Sequence, residues 1–493
     1  MLKVLFVTSE AFPFAKTGGL GDVAFALPKE LKKQGIDVRV LMPKYKDIDD
    51  NFKRKMTICS SCTVKLGWRN QSCGIEGMEY HGIPFYFIDN EYYYNRDGLY
   101  GFHDDHERFL FLCTAVMTVV ENIDFIPDII HCNDWHSGMI CPLIKEYSKN
   151  KTLLSDVQTI FTIHNLRYQG NFPKNILEDM LNLDLKRYYK DDALKSYGNI
   201  SFMKAGINYA DLVTTVSKTY AKEIQTKHYG EGLNEVLKAK RKRLYGITNG
   251  IDYKIFDPKI DNNIFDKYDI DTLEKKKENK AKLQGELRLP KKISVPLIGM
   301  VTRLVGAKGI DLIIDIIDEL MSKNIQLVIL GKGDPIIESK LKSFAKKYSS
   351  KLSVNILYDE SLAHKIYAAS DMFLMPSMFE PCGLAQLIAL RYGTIPIVRE
   401  TGGLKDTVKN YDEVTREGNG FSFSKCNSQE MFYAINRALK LYEEKGIWNR
   451  IIKNGMKEDN SWEKSAKIYK KLYEKLIADK SMYRVLSKGF NLC

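Results

Sequence analysis

The sequence lacks the features of a membrane-spanning or disulfide-bonded protein. No run approaches the roughly 20 apolar residues that a membrane-spanning helix needs, although 44% of the 493 residues are hydrophobic. The short apolar run 1–8 is followed by Glu10 and has no small-residue cleavage site, so it predicts a buried strand rather than a secretory signal. Nine cysteines in a chain of this length do not make a disulfide framework. Free thiols in a reducing compartment, the cytoplasm, are therefore expected.

The charge pattern gives little support to a nucleic-acid binder. The formal net charge is +12, but 62 acidic residues are mixed with 74 basic ones along most of the chain. The densest basic run, Lys238-Ala-Lys-Arg-Lys-Arg243, lacks the interleaved aromatic residues of a single-strand binder and predicts a solvated helix face. We expect no nucleic-acid partner and no membrane partner. A non-catalytic protein that binds nucleic acid is the alternative that the positive charge raises.

Metal-binding patterns are also scarce. Cys59-Ser-Ser-Cys62 is a single CxxC in a strand-like stretch, with no second pair to complete a zinc site. His103-Asp-Asp-His106 lacks the HExxH pattern, and a helix start leading into Glu107 explains it better. We predict no metal and no cofactor.

Strand-like and helix-like segments alternate through most of the chain, which predicts parallel sheets covered by helices. Residues 54–88 break this rhythm and predict an antiparallel excursion with strands at 57–66 and 83–88. In the first half, the other strands are expected at 3–8, 38–42, 128–132, 158–163 and 211–216, with a helix near 22–34. In the second half, strands are expected at 295–303, 325–330, 354–357, 371–375 and 394–398, followed by an amphipathic helix at 462–480.

Two α/β series of similar size predict an α/β fold with two Rossmann-like domains facing an interdomain cleft. The expected boundaries are 1–250 for the first domain, 251–460 for the second, and 461–493 for a C-terminal helix that returns to the first. Ligands of open α/β sheets bind beyond the carboxyl ends of the strands, so functional residues should lie in the loops after strands.

Three loops of the first half carry candidate residues. Lys16-Thr-Gly-Gly-Leu-Gly-Asp22 lies between a strand and a helix, where Gly18 and Gly19 allow close approach of an anion and Lys16 adds a charge. It is neither a Walker A motif nor a G-x-G-x-x-G motif, and a structural tight turn explains it equally well. Two polar clusters, one with Asp134 and one with His164 and Asn165, follow two other predicted strands and could form a site. The alternative interpretation is that these residues cap the next helices.

The second half adds cations and a strand-to-helix loop. Arg303 and Lys308 follow a strand and are placed to meet a diphosphate, although both could be ordinary surface cations. In Pro376-Ser-Met-Phe-Glu-Pro-Cys-Gly-Leu-Ala-Gln386 a strand ends and a helix begins. Glu380 lies beside that helix start, and Cys382, Gly383 and Leu384 offer backbone N–H groups to a phosphate. A nucleophilic Cys382 is disfavoured by the neighbouring glutamate and the absence of a histidine base.

The absence of several catalytic motifs limits the reactions that the protein is expected to catalyse. There is no nucleophile elbow, no kinase motif set and no paired-carboxylate motif. Two cations and a helix start suit a departing diphosphate, whose charge must be stabilised as it leaves. Polar groups of the other domain could hold a sugar. This combination predicts glycosyl transfer from a nucleotide-sugar.

Several segments resemble the bacterial glycogen synthases and plant starch synthases, over essentially the whole chain. The motifs that carry the resemblance are Ser9-Glu10, the Lys16–Asp22 loop, Arg96-Asp-Gly-Leu-Tyr-Gly101, Asn133-Asp-Trp-His136, Thr162-Ile-His-Asn-Leu-Arg-Tyr-Gln-Gly170, Asn249-Gly-Ile-Asp252 and Glu380-Pro-Cys-Gly-Leu384. The family implies a glycosyltransferase B fold, with an acceptor-side first domain and a nucleotide-sugar-binding second domain. It further implies a retaining transfer of glucose from ADP-glucose to the non-reducing end of an α-1,4-glucan, either glycogen or a malto-oligosaccharide. A plastid location would replace the cytoplasm in a plant, but no transit peptide is seen.

The resemblance also implies individual roles. Arg303 and Lys308 should stabilise the diphosphate, the amides of Cys382, Gly383 and Leu384 should hold its distal phosphate, and Glu380 should bind the glucose hydroxyls. His164 should contact the glucose, and Asp134 should help to orient the reacting sugars. Further substrate-binding positions are Lys16, Gly18 and Gly19 over the phosphates, Tyr358 on the adenine, and Asn165 and Asn249.

Three positions depart from the family pattern. Ala307 stands where glutamine is usual, Ile388 where tyrosine is common, and Phe256 where tryptophan is usual. The principal charged groups are kept, so the activity is still expected. A related transferase that uses UDP-glucose or a small acceptor is the alternative.

Overall fold

The structure is a computed structural model that describes residues 1–150, 153–181, 183–184, 186–190 and 193–489. The chain divides into two compact units. The first contains Met1–Ile247 together with the segment that begins at Trp462, and the second is Thr248–Ser461. Within the described ranges, no helix is long and apolar enough to cross a membrane.

A large sheet forms the centre of the first unit. Its nine strands in the described part of the chain follow the order β12-β11-β7-β6-β1-β2-β5-β4-β3. The strands of this unit are β1 Lys3–Val7, β2 Asp37–Pro43, β3 Thr57–Leu66, β4 Arg69–Tyr80, β5 Ile83–Asp89, β6 Ile129–Asn133, β7 Gln158–Ile163, β8 Asn171–Phe172, β9 Lys195–Ser196, β10 Asn199–Ser201, β11 Leu212–Thr215 and β12 Leu244–Gly246. β8, β9 and β10 make a separate small sheet. The run from β5 to β12 is parallel, and its order reverses between β1 and β6, as in a Rossmann fold.

Helices cover this sheet. They are α1 Gly19–Lys33, α2 Asp50–Lys53, α3 Glu91–Tyr94, α4 Asp105–Asn122, α5 Ile140–Tyr147, α6 Ile176–Leu181, α7 Phe202–Tyr209, α8 Lys218–Glu223 and α9 Asn234–Ala239. Short 3₁₀ turns lie at Trp135–Ser137, Ser148–Asn150 and Arg241–Arg243, and one π-helical turn at Lys186–Lys190. α4 is buried along most of its length, which matches its nearly continuous apolar sequence.

The excursion at 54–88 belongs to the same sheet. β3 and β4 pair antiparallel, β4 pairs antiparallel with β5, and β5 then runs parallel to β2. The expected strands 57–66 and 83–88 are present, the second one residue longer, and the intervening β4 was not predicted. The alternating burial along β4 fits an antiparallel edge region with one face on the core.

The second unit has a six-stranded parallel sheet in the described part of the chain, in the order β15-β14-β13-β16-β17-β18. Its strands are β13 Leu297–Val301, β14 Gln326–Leu330, β15 Leu352–Asn355, β16 Met372–Met375, β17 Ile395–Arg399 and β18 Phe421–Phe423. This is the Rossmann order 3-2-1-4-5-6, with its switch point between β13 and β16.

Helices and short turns surround the second sheet. They are α10 Lys276–Glu286, α11 Ile310–Asp315, α12 Ile317–Ser322, α13 Pro335–Lys347, α14 Glu360–Ala369, α15 Ala385–Arg391, α16 Gly402–Thr407, α17 Ser428–Glu443 and α18 Lys445–Lys457, with 3₁₀ turns at Leu273–Lys275 and Gly306–Lys308. Two hydrophobic clusters pack against this sheet, since parallel strands are covered on both faces.

The last helix, α19 Trp462–Gly489, belongs to the first unit. The Tyr473 hydroxyl lies 2.7 Å from Nδ1 of His131 on β6, and both side chains are buried. Lys470 donates to the backbone carbonyl of Gln34, just after α1, at 2.7 Å. These contacts fix α19 on the face of the sheet that α1 covers.

The ten parallel-sheet strands predicted from the sequence are present, with ends displaced by at most two residues. The helix expected at 22–34 begins three residues earlier, at Gly19. Its N-terminal turn contains two glycines, which have low helix propensity and therefore concealed the true start.

Candidate active site

The loop after β1 is held by two carboxylates. The Lys16 ammonium lies 2.7 Å from Oδ1 of Asp22, in the first turn of α1. The carboxylate of Glu10 accepts from the Thr17 backbone N–H at 2.5 Å and from the Thr17 hydroxyl at 3.0 Å. Lys16 is about one-third exposed, so its ammonium stays accessible to a ligand.

No contact among the described residues and no positive φ explains why positions 18 and 19 are glycines. A Cβ added at Gly19 would meet no atom within 4 Å, and one at Gly18 would meet only Oε1 of Glu10, at 4.0 Å. Neither glycine has a positive φ. By contrast, a Cβ at Gly21 would lie 3.0 Å from the Lys16 side chain. Open space at two glycines beside a lysine is what close approach of a ligand requires.

Asp134, His164 and Asn165 form one cluster at the ends of β6 and β7. Oδ1 of Asp134 accepts from the backbone N–H of His164 at 2.8 Å and of Asn165 at 3.4 Å. The His164 ring contacts Oδ1 of Asn133 through Nε2, at 2.9 Å. Asp134 has a φ of 53° and a ψ of −179°, a strained combination that is found almost only at glycine. The carboxylate thus joins two neighbouring loops rather than capping a helix.

Burial sets the protonation states of this cluster. Burial raises the pKa of Asp134 to about 7, against the opposing effect of the hydrogen bonds from His164 and Asn165. Burial lowers the pKa of His164 to about 3, so its imidazole is neutral at pH 7. A neutral imidazole and a carboxylate near its titration point can bind sugar hydroxyls as donors or acceptors.

In the second unit, Lys308 and Glu380 form an ion pair. Nζ of Lys308 lies 2.5 Å from Oε2 of Glu380, and Ser377 donates to the same oxygen at 3.0 Å. Lys308 follows β13 and Glu380 follows β16, so the pair sits at the switch point of the second sheet. Glu380 is buried, which strengthens its attraction to the ammonium.

Glycines let the loops around this pair pack backbone against backbone. Gly309 has a φ of 71°, and a Cβ there would lie 2.1 Å from the Pro376 carbonyl oxygen. A Cβ at Gly402, at the start of α16, would lie 2.0 Å from the Glu380 carbonyl oxygen. The positions of Lys308 and Glu380 therefore depend on one glycine in the Lys308 loop and on another at the start of α16.

The segment Cys382–Leu384 leads into α15. The Cys382 thiol is buried and accepts a hydrogen bond from the backbone of Asn249, while burial raises its pKa to about 12. This thiol stays protonated at neutral pH, which removes it as a nucleophile. Gly383 has a φ of 75°, and no side chain caps the helix at Leu384. The backbone N–H groups of this turn are thus left for another acceptor.

Among the described residues, two further candidates of the second unit form no hydrogen bond or ion pair with Lys308 or Glu380. Arg303 is exposed, and its side chain makes no hydrogen bond or ion pair to the residues that the structure describes. Tyr358 follows β15 and is 82% exposed, so its ring face is available for stacking. The contacts predicted for these side chains are with the diphosphate and with the adenine, and both side chains are accessible to a ligand.

The structure explains the segment His103-Asp-Asp-His106 as the start of a helix. Arg96 binds Asp104 with two hydrogen bonds of 2.6 and 2.7 Å, and α4 begins at Asp105, whose carboxylate binds Arg108. Across 1–150, 153–181, 183–184, 186–190 and 193–489, no group of three or more His, Cys, Asp or Glu residues is placed to hold a metal.

The structure also accounts for the Cys59-Ser-Ser-Cys62 pattern and for the basic run at 238–243. Cys62 lies opposite Cys73 in the β3–β4 ladder, and both are free thiols. Lys240, in the basic run, donates to the Asn208 carbonyl at the end of α7.

Sequence reasoning missed several residues that hold the site. Ser377 binds Glu380, and Arg399 donates from Nε to the Ser377 carbonyl at 2.8 Å. Glu10 was noted only as part of a motif. Gly402 and Gly403 carried a readable signal, because Thr401-Gly-Gly-Leu404 repeats the Thr17-Gly-Gly-Leu20 pattern after a strand of the other series.

Comparison with known proteins decides the family. Residues 3–239 match the starch synthase catalytic domain, and residues 286–458 match the glycosyl transferases group 1. Glycogen synthase of Clostridium novyi (strain NT) is 53% identical, covering 97% of this chain and 99% of that protein. Glycogen synthase of Geobacillus stearothermophilus is 51% identical, covering 97% and 98%. The chain belongs to the glycogen synthase and starch synthase family.

The family's fold is shared as well. The catalytic domain of starch synthase IV from Arabidopsis thaliana, bound to ADP and acarbose, superposes with a TM-score of 0.89 at 34% identity, covering 97% of this chain and 99% of that one. Sucrose-phosphate synthase from Thermosynechococcus elongatus, at 17% identity and a TM-score of 0.62, shares only the fold. The predicted family and the predicted glycosyltransferase B fold are confirmed.

The departures from the glycogen synthase pattern fall in three environments. The Ala307 carbonyl accepts from the Met378 backbone N–H at 3.0 Å, a contact that needs no particular side chain. Ile388 is buried in a hydrophobic cluster of the second unit. Phe256 stacks on His364, with ring centroids 5.0 Å apart. All three side-chain changes therefore leave the Lys308–Glu380 pair in place.

Proposed function

We propose that this protein is a retaining glucosyltransferase that adds glucose from ADP-glucose to the non-reducing end of an α-1,4-glucan, in glycogen synthesis. The observation that carries the proposal is 51–53% identity, over nearly the whole chain, to bacterial proteins named glycogen synthase. The acceptor is glycogen or a malto-oligosaccharide. The sites described above supply groups of the right chemistry for such a transfer.

The second unit would bind the nucleotide-sugar. The Lys308 ammonium and the accessible guanidinium of Arg303 would neutralise the diphosphate, whose negative charge grows as the glycosidic bond breaks. The backbone N–H groups of Cys382, Gly383 and Leu384 would donate to the distal phosphate. Glu380, held by Lys308, would accept hydrogen bonds from the glucose hydroxyls. The exposed Tyr358 ring would stack on the adenine.

The first unit would contribute groups that bind the sugar and the phosphates. The loop at Gly18 and Gly19 has room for a phosphate oxygen, and Lys16 would exchange its bond to Asp22 for one to the diphosphate. His164 and Asn165 would bind hydroxyls of the transferred glucose. Asp134 fixes the backbone at both residues, so it would orient the reacting sugars. Asn249, beside Cys382, would complete the donor site.

The reaction would proceed on one face of the sugar. The acceptor hydroxyl attacks the anomeric carbon on the side that the diphosphate leaves, forming one C–O bond as the bond to the phosphate oxygen breaks. A phosphate oxygen takes the hydroxyl proton, and ADP departs. No protein nucleophile is needed, in keeping with the protonated thiol of Cys382. Exclusion of water from the reacting groups would favour transfer to the acceptor over hydrolysis of the donor.

The test is ADP release by the purified protein with ADP-glucose and glycogen, with UDP-glucose in parallel and no added metal. Radiolabelled glucose should enter the polymer and be released as maltose by an exo-acting enzyme specific for α-1,4 bonds at non-reducing ends. This second measurement reports the linkage, the anomeric configuration and the end of attachment together.

Each outcome is informative. Glycogen-dependent ADP release with labelled maltose supports the proposal. A clear preference for UDP-glucose, or transfer only to small sugars, would favour the related transferase that Ala307 and Ile388 raise as an alternative. Salt-sensitive oligonucleotide binding without any transfer would favour a non-catalytic role. A cytoplasmic location, and the absence of nucleic-acid and membrane partners, stay predictions from the sequence.

A further inference from the structure

Glu10 is a buried carboxylate whose partners are all on the loop that follows it. Its side chain binds the Thr17 backbone N–H and hydroxyl, and the backbone of Gly18 adds a further hydrogen bond. The hydroxyl of Thr8, at the end of β1, donates to the Glu10 carbonyl at 2.8 Å and so fixes the residue from which the side chain projects. Glu10 thus connects the sheet directly to the glycine loop.

This arrangement holds the turn that leads into α1. α1 begins at Gly19, and the preceding Gly18 has no side chain with which to cap it. A carboxylate near the first N–H groups of a helix is stabilising, because it satisfies donors that lack helical partners. Glu10 instead holds Thr17 and Gly18, the two residues just before the helix, and so leaves Gly18 and Gly19 without a side chain where a ligand could approach.

The position of Glu10 is electrostatically unfavourable in the unliganded protein. The residue is 4% exposed and makes no ion pair with the residues that the structure describes. Burial raises the pKa of Glu10, and the nearby carboxylate of Asp22 adds to the effect. The charge of Glu10 also contributes to the raised pKa of Asp134. Glu10 therefore acts electrostatically on the Asp134 cluster as well as on the glycine loop. A buried carboxylate that is held by hydrogen bonds alone, without a cation, is more typical of a functional than of a stabilising position.

We propose that Glu10 is a positioning residue for the donor substrate: its carboxylate holds the backbone of Thr17 and Gly18 so that Lys16 and the bare glycines face the nucleotide-sugar. This inference rests on the function proposed above. Glutamine is the sharpest test, because its amide keeps one acceptor but turns a donor toward the other N–H groups. The matched control is Glu107→Gln, which neutralises a buried glutamate of the same unit that binds Tyr93 instead.

The first measurement is steady-state kinetics. Glu10→Gln should raise KM for ADP-glucose about tenfold, the equivalent of losing one charged hydrogen bond, while KM for glycogen changes less than twofold. Glu107→Gln should change neither. In a Lys16→Ala background Glu10→Gln should add little, because Glu10 acts through the loop that carries Lys16. An unchanged KM for ADP-glucose, an equal rise for both substrates, or full additivity with Lys16→Ala would overturn the proposal.

A second measurement does not depend on turnover. Amide hydrogen exchange in a peptide spanning residues 11–20 should be faster in Glu10→Gln than in the wild type, and unchanged in Glu107→Gln. Unchanged exchange would overturn the positioning role even in an active enzyme. A wild type that exchanges as expected but releases no ADP would instead refute the proposed function.

Discussion

The ammonium of Lys308 lies 2.5 Å from Oε2 of Glu380, so a cation suited to a diphosphate and a carboxylate suited to sugar hydroxyls hold each other in place. They come from loops after different strands of one sheet. A donor site that keeps its two main charges paired before substrate arrives avoids leaving either charge buried alone.

Lys308→Met should abolish most turnover. Removing one group that stabilises developing charge typically lowers kcat by about 100-fold or more, and we expect a loss of that order with KM for glycogen unchanged. The measurement is ADP release, with circular dichroism to confirm folding. Lys342→Met, on the exposed face of α13, is the matched control and should behave like the wild type. A Lys308→Met variant with near-wild-type kcat would show that this cation does not act on the diphosphate.

Gly309→Ala should weaken both stability and activity. The positive φ and the approach to the Pro376 carbonyl leave no room for a methyl group, so the loop that carries Lys308 must move. We expect a loss of about 1–3 kcal/mol in the free energy of unfolding, with a lower kcat. Gly306→Ala tests the same loop where a Cβ would meet only the flexible end of Asp311, at 3.2 Å. Equal effects of the two substitutions would contradict this explanation.

Gly19→Ala should separate binding from folding. Alanine has a higher helix propensity than glycine and meets no neighbour here, so the free energy of unfolding should stay equal or rise slightly. KM for ADP-glucose should nevertheless increase about tenfold, or about 1.4 kcal/mol of lost binding, because the methyl group occupies the ligand's space. Gly446→Ala, also in open space near the start of a helix, is the control. If both variants keep the wild-type KM, the space at Gly19 does not admit the donor.

Asp134→Asn should make the unliganded protein more stable in a pH-dependent way. Burial raises the pKa of Asp134 from 3.8 to about 7, so the folded wild type loses stability as pH rises through this interval. The asparagine variant escapes that loss, which at pH 8 is at most about 4 kcal/mol, and asparagine has the same size as aspartate, so it adds no backbone strain. Urea unfolding should show a gain at pH 8 that falls to about half at pH 5.5, while turnover drops. A stability difference that is the same at both pH values would refute the assigned ionisation.

Most strands of the two large sheets could be predicted, because buried parallel strands consist of short apolar runs, but β4, β12 and β18 were missed. The loops that follow them were recognisable by glycines and charges at the points where those runs end. The burial that raises the pKa of Asp134 was not readable, since it depends on side chains from distant segments. Ser377 gave no signal for the same reason: its contact with Glu380 exists only in the folded loop.

The departures from the family pattern illustrate the same limit. From the sequence, Ala307 and Ile388 were two departures from the family pattern near the expected donor site, and neither could be judged more important than the other. In the fold, Ala307 contributes a backbone carbonyl and Ile388 is packed in a core, so their consequences differ. Residue type alone could not distinguish the two, because the difference lies in which atoms of each residue make contacts.

The second unit is inserted within the first, because the chain leaves the first unit at Ile247 and re-enters it at Trp462. On the ribosome, every residue of the inserted unit therefore emerges before α19 does. Until then the nascent first unit lacks its last layer, and His131 has no Tyr473 to bond with. The insert can finish folding while its host is incomplete. Late-synthesised residues thus control when the earliest-synthesised sheet becomes fully covered.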